Sequence, residues 1–176
     1  MTLAYLGLGA NLGDARQTLK DAVVCLAQQC AVTVLSKSSL YRTAPINAGG
    51  EAYYNCAVKI ETRLAARELL RLGQRIEHYF DRERPFQNAP RTLDVDILLY
   101  GDHTIDEPDL VVPHPRLTGR AFVLVPLVEL DPGLAIPIHG RAQAFLTTVA
   151  AQRIEKVQTC QCLISMKTTN DKNRCR

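Results

Sequence analysis

Apolar positions follow two kinds of pattern along the first hundred residues of this chain. Short apolar or β-branched runs predict four strands, at 3–9, 31–41, 53–62 and 91–101. Apolar residues recurring every three or four positions predict two amphipathic helices, at 15–29 and 65–80, with Asp14 placed to cap the first. The βαββαβ order predicts a ferredoxin-like α/β fold, an antiparallel sheet with both helices on one face and the other face left free as a binding surface.

The rest of the chain is predicted to complete a single domain, as expected for 176 residues. The sequence predicts loops at 43–52 and 81–90, a hairpin with a proline-rich loop at 103–117, and short helices near 119–129 and 141–151. No apolar run is long enough to cross a bilayer, and the first residues lack a basic segment and a small-residue cleavage site. We therefore expect a cytoplasmic protein without a membrane partner.

Charge and cysteine placement separate the body of the chain from its end. The formal net charge is +3, and residues 158–176 carry four basic side chains against the single acid Asp171. The body is therefore neutral, which argues against a nucleic-acid partner. Three cysteines in apolar patterns are predicted to be core: Cys25, Cys30 and Cys56. The other three, Cys160, Cys162 and Cys175, give only a weak metal or redox signal, and residues 158–176 are predicted to be a disordered tail.

Two carboxylates stand on the fourth predicted strand, in "APRTLDVDILLYG". Alternate strand residues face the same side, so Asp94 and Asp96 should project together, about 6 to 7 Å apart, while Val95 points into the core. Such a pair needs a counter-charge, and Mg²⁺ is the ion that this arrangement favours. Strand patterning alone leaves open the alternative that both aspartates lie on a solvated sheet face.

Three arginines precede this pair and favour phosphate chemistry. Arg82, Arg84 and Arg91 fall within ten residues, on a predicted loop that leads into the aspartates. Arginine binds phosphate oxygens in pairs, and phosphoryl-type transfer relies on positioning and charge neutralisation. The glycine-rich start "GLGANLGD" is not a dinucleotide motif, because Leu12 stands where the third glycine belongs. His114, between two prolines, is interpreted as a turn residue in preference to a phosphate contact.

Several segments in order together resemble one enzyme family: "YLGLGANLGD", "YRTAP", "YYNCAV", "QRIE", "APRTLDVDILLYG", "VPHPRL" and "GRAFVLVPL". They are similar to 6-hydroxymethyl-7,8-dihydropterin pyrophosphokinases of folate biosynthesis over about residues 3–150, which implies a pyrophosphokinase domain at 1–157. The resemblance implies a ferredoxin-like fold and transfer of the β,γ-diphosphate of ATP to the hydroxymethyl group of a reduced pterin, releasing AMP. It also implies two Mg²⁺ ions as cofactors and a monomer whose partners are these small molecules.

The resemblance assigns roles by motif. Asp94 and Asp96 would hold the metal ions, and Arg82 and Arg91 would act with them in catalysis. Residues implied in ATP binding are Gln74, Glu77, Arg82, Arg84, Arg91, Ile97, His114 and Arg120. Residues implied in pterin binding are Thr43, Ala44, Ile46, Tyr53, Asn55 and Phe122, with the flat ring between Tyr53 and Phe122. From the residues alone, Tyr53, Asn55 and Phe122 could equally be ordinary packing positions.

One departure from the family and two rival functions complete the sequence-based prediction. Many members have "RWGPR" where this chain has "QNAPR", so the usual tryptophan is missing, and we hypothesise that Phe86 replaces it as a cover for the ligands. An RNA-recognition domain has the same element order and would use Tyr53 and Tyr54 as its platform, but its strand-three motif is absent. A ferredoxin-like small-molecule sensor would bind ligand without releasing AMP.

Overall fold

The computed structural model describes residues 1–44, 51–80 and 92–158. The strands of the main sheet are β1 (Thr2–Ala10), β2 (Val32–Lys37), β3 (Leu40–Thr43), β4 (Tyr53–Thr62), β5 (Asp94–Tyr100) and β10 (Ile154–Gln158). Two small hairpins are formed by β6 (Ile105–Glu107) with β7 (Leu110–Val112) and by β8 (Ala135–Ile136) with β9 (Gly140–Arg141). The helices are α1 (Ala15–Ala27), α2 (Ala66–Tyr79), α3 (Ala121–Leu130) and a 3-10 helix at Ala142–Val149.

The main sheet is antiparallel, with β4 at its centre. Its strands follow the order β10-β3-β4-β1-β5, and β2 pairs with the far part of β4. This confirms the predicted ferredoxin-like α/β fold, including both early helices and the hairpin that follows β5. The first helix begins as predicted, because Asp14 Oδ1 accepts the Gln17 N–H at 3.1 Å.

The second predicted strand is in fact two strands. Ser38 and Ser39 interrupt the run between β2 and β3, and both are buried. Ser38 Oγ accepts the Ala57 N–H at 2.9 Å and donates to the Ser39 carbonyl at 2.8 Å. A side chain therefore replaces part of the ladder, and β2 and β3 pair with different stretches of β4.

The two sheet faces carry different layers. Helices α1 and α2 pack on one face, where alternate residues of β1, such as Leu6 and Leu8, join their apolar stripes. The other face, expected to be free, is covered along part of its length by α3, which packs with Tyr5, Leu99 and the 3-10 helix. A cavity lies on the part of this face that α3 leaves uncovered.

A shared carboxylate fixes the end of α3 to one edge of the sheet. Glu129 accepts hydrogen bonds from Ser39 N at 3.0 Å, Ser39 Oγ at 2.6 Å, Tyr41 Oη at 2.9 Å and Lys156 Nζ at 3.0 Å. Burial acts to raise the pKa of Glu129, but these hydrogen bonds outweigh it and hold the pKa below its usual value. Ser39 directly precedes β3, Tyr41 lies on β3 and Lys156 lies on β10, so Glu129 joins α3 to both strands.

Two further features differ from the sequence-based prediction. Cys30 is exposed, because α1 ends at Ala27 and the helical spacing that predicted burial no longer applies, whereas Cys25 and Cys56 are buried as expected. Strand β10 was not predicted, and it extends to Gln158, one residue past the predicted domain boundary. None of the helices in the described part of the chain combines the length and apolarity needed to cross a membrane.

Candidate active site

A cavity of roughly 470 Å³ occupies the uncovered part of the sheet beside α3. Its floor is the sheet itself, and one wall is the segment 119–123 at the start of α3. The lining residues from the sheet include Gly7, Gly9, Thr43, Ala44, Tyr53, Asn55, Asp94 and Asp96. A volume of this size is typical of small-molecule binding sites.

Two glycines of β1 line the floor and add no side chain to it. Gly9 pairs with Asp94 on one side and Asn55 on the other, and Gly7 pairs with Asp96 and Ala57. A Cβ atom on Gly9 would lie 2.9 Å from Asn55 Oδ1, closer than such contacts allow. Because neighbouring strands are about 4.8 Å apart, the backbones of Asp94 and Asn55 lie about 10 Å apart with Gly9 between them.

The two aspartates both face this cavity. Asp94 and Asp96 line it and are half-buried, while Val95 between them is buried in the core against α2. This confirms the orientation predicted from strand alternation, and the pair lies in a concave site rather than on a flat solvated face. The backbone of β5 is braced from behind, because Val95 N–H donates to Glu77 Oε1 at 2.9 Å.

The two aspartates fit a Mg²⁺ site that is completed by water and substrate, and they do not fit a metal site built entirely from protein ligands. Within the described ranges, no group of three or more His, Cys, Asp or Glu side chains could hold a metal ion. Mg²⁺ usually takes one or two carboxylates and completes its shell with water and substrate phosphates. Asp94 and Asp96 supply that number of ligands at the edge of a cavity large enough for the rest.

Five of the six residues expected to bind the pterin are together in the cavity. Thr43, Ala44, Tyr53, Asn55 and Phe122 all line it. Asn55 is 7% exposed, and its Nδ2 approaches Thr43 Oγ1 at 3.4 Å, so its amide is held at the edge of the floor. The sixth residue, Ile46, lies outside the described residues.

Residues expected to contact ATP are more scattered. Arg120 lines the cavity, and its guanidinium lies 5.3 Å from the centre of the Phe122 ring. His114 lies outside the lining, and its pKa is lowered by burial and by the charges of Arg120 and Arg116, against an opposing effect of Asp94. His114 Nδ1 also accepts the Arg116 N–H at 3.1 Å, so it is both a turn residue and a neighbour of the site. Its neutral imidazole leaves Nε2 as a donor.

Three other residues assigned to ATP do not join this cavity with their side chains. Ile97 is 6% exposed and packs in the core on the helix side of the sheet, because it alternates with Asp96. Glu77 is buried behind β5, and Gln74 is exposed on α2, where it lines a different groove. Arg82, Arg84 and Arg91, together with Phe86, lie outside the described residues.

Some lining residues were not foreseen from the sequence. Gly7 and Gly9 were judged only as a failed nucleotide motif, although glycines two apart on a strand indicate an open patch on one face. Gln152 and Arg153 also line the cavity, and no local pattern marks them. The rival RNA platform is not formed, because Tyr53 faces the cavity while Tyr54 packs on the helix side under Arg16, whose guanidinium lies 5.0 Å from its ring centre.

Comparison with known proteins gives a consistent result. The family model for "7,8-dihydro-6-hydroxymethylpterin-pyrophosphokinase (HPPK)" matches residues 5–132. A Bacillus subtilis 2-amino-4-hydroxy-6-hydroxymethyldihydropteridine pyrophosphokinase is 46% identical over 129 residues, which cover 73% of this chain and 77% of the relative. A Methylorubrum extorquens protein of the same name is 41% identical over 137 residues, covering 77% of this chain and 87% of the relative.

Solved structures support the fold. A Plasmodium falciparum HPPK-DHPS structure with SDX-DHP superposes with a TM-score of 0.65 at 16% identity, covering 84% of this chain. This chain spans 43% of that larger protein, so the similarity concerns one part of it. With the family model matching most of the chain and relatives above 40% identity, this protein belongs to the 7,8-dihydro-6-hydroxymethylpterin-pyrophosphokinase family.

Proposed function

We propose that the cavity beside α3 is the active site in which this chain transfers the β,γ-diphosphate of ATP to 6-hydroxymethyl-7,8-dihydropterin and releases AMP. The family match supports a pyrophosphokinase of folate biosynthesis. The observation that carries the assignment to this cavity is the row Asp94, Gly9 and Asn55 across three neighbouring strands. It places acidic groups at one end of a flat floor and an amide at the other.

The pterin is proposed to lie on the glycine floor with its ring between Tyr53 and Phe122. Both aromatic side chains line the cavity, and stacked rings gain contact area from a flat ligand. Asn55, held beside Thr43, would bind the polar edge of the ring. This orientation directs the hydroxymethyl group toward Asp94 and Asp96.

Asp94 and Asp96 are proposed to hold two Mg²⁺ ions against the triphosphate of ATP. Bound there, the ions would neutralise phosphate charge and align the β-phosphorus for attack. The pterin hydroxyl oxygen bonds to the β-phosphorus, the bond from that phosphorus to the oxygen shared with the α-phosphate breaks, and the hydroxyl proton passes to water. AMP leaves with the shared oxygen.

Cationic groups are proposed to bind the nucleotide on the same side. Arg120 lines the cavity, and His114 stands close enough to Asp94 and Arg120 for their charges to alter its pKa. Arg82, Arg84 and Arg91 are proposed to add charge stabilisation for the transferred group and for AMP. Following the family resemblance, we propose a monomer as the functional unit, and the cytoplasmic location stays a prediction.

Substitution of one metal carboxylate tests this assignment. Asp96→Asn should lower pterin-dependent AMP formation by about three orders of magnitude, since electrostatic stabilisation of the transferred phosphate is lost. Asp106→Asn, on the β6–β7 hairpin, is the matched control and should keep wild-type turnover. AMP is measured by liquid chromatography at saturating substrates, and near-normal turnover in Asp96→Asn would remove this residue from the mechanism.

A further inference from the structure

The N-terminus of α3 is capped by a side chain from a distant part of the chain. Arg120 precedes the first helical residue, and its own side chain makes no capping hydrogen bond. Gln152 Oε1 accepts the Ala121 N–H at 2.9 Å, and Gln152 Nε2 donates to the Gly119 carbonyl at 2.8 Å. The oxygen and the nitrogen of this one amide therefore both form hydrogen bonds with the backbone, one directly after and one directly before Arg120.

These two hydrogen bonds hold the backbone of residues 119–121, which forms one wall of the cavity. The first N–H groups of a helix have no partner within the helix, so a cap decides how the first turn is held. Arg120 lies between the two bonded backbone groups, and Phe122 follows two residues after it, with its ring under the Arg120 guanidinium. Fixing the backbone at 119 and 121 therefore orients the side chains of Arg120 and Phe122 together.

Gln152 also connects this wall to the opposite one. It lines the cavity, and two residues later Ile154 begins β10 and pairs with Thr43 at the end of β3. Thr43 belongs to the other side of the cavity, next to Asn55. A single short segment thus spans from the α3 wall to the β3 wall.

We propose that Gln152 is a positioning residue of the active site, which holds Arg120 for the nucleotide and Phe122 for the pterin. It lies beyond the residues 5–132 that match the family model. The proposal rests on the function assigned above to this cavity, because it concerns the same two ligands. The side chain acts through the backbone of α3 and takes no part in the chemical step.

Three variants test the proposal. Gln152→Ala removes both hydrogen bonds and should weaken pterin binding, and raise the KM for ATP, by up to about thirty-fold, the limit set by the stability that a helix cap contributes. Gln152→Glu keeps an acceptor for the Ala121 N–H but turns a second oxygen toward the Gly119 carbonyl, so its effect should be intermediate. Gln29→Ala is the matched control, because Gln29 Nε2 also donates to a backbone carbonyl, that of Cys25 at 3.2 Å, at the far end of α1.

Pterin binding is measured by fluorescence titration, and stability by urea unfolding of the same samples. A merely structural role would make Gln152→Ala and Gln29→Ala alike in binding once their stabilities are matched, and that result would overturn the proposal. Should Gln152→Ala fold poorly, Gln152→Glu must still show weakened binding, and wild-type affinity in it would also overturn the proposal. If the wild-type protein binds no pterin, that result contradicts the proposed function itself, and the positioning role is rejected together with it.

Discussion

Adding one methyl group to the floor of the cavity should separate binding from stability. In Gly9→Ala the new Cβ would lie 2.9 Å from Asn55 Oδ1 and 4.0 Å from the nearest backbone atom, the Tyr54 carbonyl oxygen. The atom that must move is therefore the end of a side chain and not the strand. Asn55 can rotate away, but its amide then no longer faces the edge of the pterin.

The size of each effect follows from what is displaced. A ligand polar group left without its partner costs about 1 to 3 kcal/mol, which corresponds to about a 5- to 150-fold weaker Kd for the pterin. Stability should change by less than about 1 kcal/mol, because strain at a flexible side chain is offset by the reduced freedom of alanine in the unfolded chain. Gly133→Ala is the control, since its Cβ would meet only Asp131 Oδ1 at an ordinary 3.8 Å.

The assay pairs fluorescence titration of the pterin with urea unfolding for wild type, Gly9→Ala and Gly133→Ala. Weakened binding in Gly9→Ala alone, at nearly unchanged stability, is the expected result. An unchanged Kd would refute the reasoning, because it would mean that Asn55 does not contact the ring or that the ring does not lie on this floor. A large loss of stability would instead show that the strand, and not the side chain, absorbs the strain.

Two further predictions concern the frame that holds the site. Glu129→Gln should destabilise the protein by about 1 to 3 kcal/mol at pH 7, through weakened hydrogen bonds to a charged group. Because the pKa of Glu129 is lowered in the folded state, this contribution is present above its ordinary value of 4.5 and is lost as the pH falls below it. The difference in the free energy of unfolding between variant and wild type, measured with urea, should therefore become smaller below pH 4.5. A difference that stays constant with pH would contradict the charge argument. Ile138 has a φ of 61° and is 83% exposed, so Ile138→Gly should raise the free energy of unfolding by about 1 kcal/mol, and a lower melting temperature would count against backbone strain at this turn.

Helices and strands whose apolar residues recur at regular spacing could be predicted from the sequence, because the regularly spaced residues are the ones that become buried. Leu69, Leu72 and Ile76 recur along α2 and are all buried, and the alternation around Val95 correctly placed both aspartates on one face. The break at Ser38 and Ser39 could not be seen, because serine hydroxyls replace ladder bonds only when a partner strand is in place. Strand β10 likewise exists through its pairing with β3, which no local pattern specifies.

Site residues could be predicted where neighbouring residues in the sequence reveal their role. They could not be predicted where the role depends on contacts with distant parts of the chain. Asp94 and Asp96 stand out because carboxylates are rare on an apolar strand. Gln152 carries no signal, since its partners at 119 and 121 are about thirty residues away and are backbone groups. The i, i+3 spacing of Gln74 and Glu77 predicted that they lie on one side of α2. Gln74 is exposed and Glu77 is buried, because the edge of the buried apolar stripe of α2 runs between them.

The central claim is pyrophosphoryl transfer at the cavity beside α3. Its most direct test is phosphorus NMR of the purified protein with Mg²⁺, ATP and 6-hydroxymethyl-7,8-dihydropterin, run beside a sample that lacks the pterin. We predict AMP and a new diphosphate ester signal only when the pterin is present. ADP in place of AMP would indicate ordinary kinase chemistry, and a spectrum without product from protein that binds the pterin would contradict the enzyme assignment and favour a sensor.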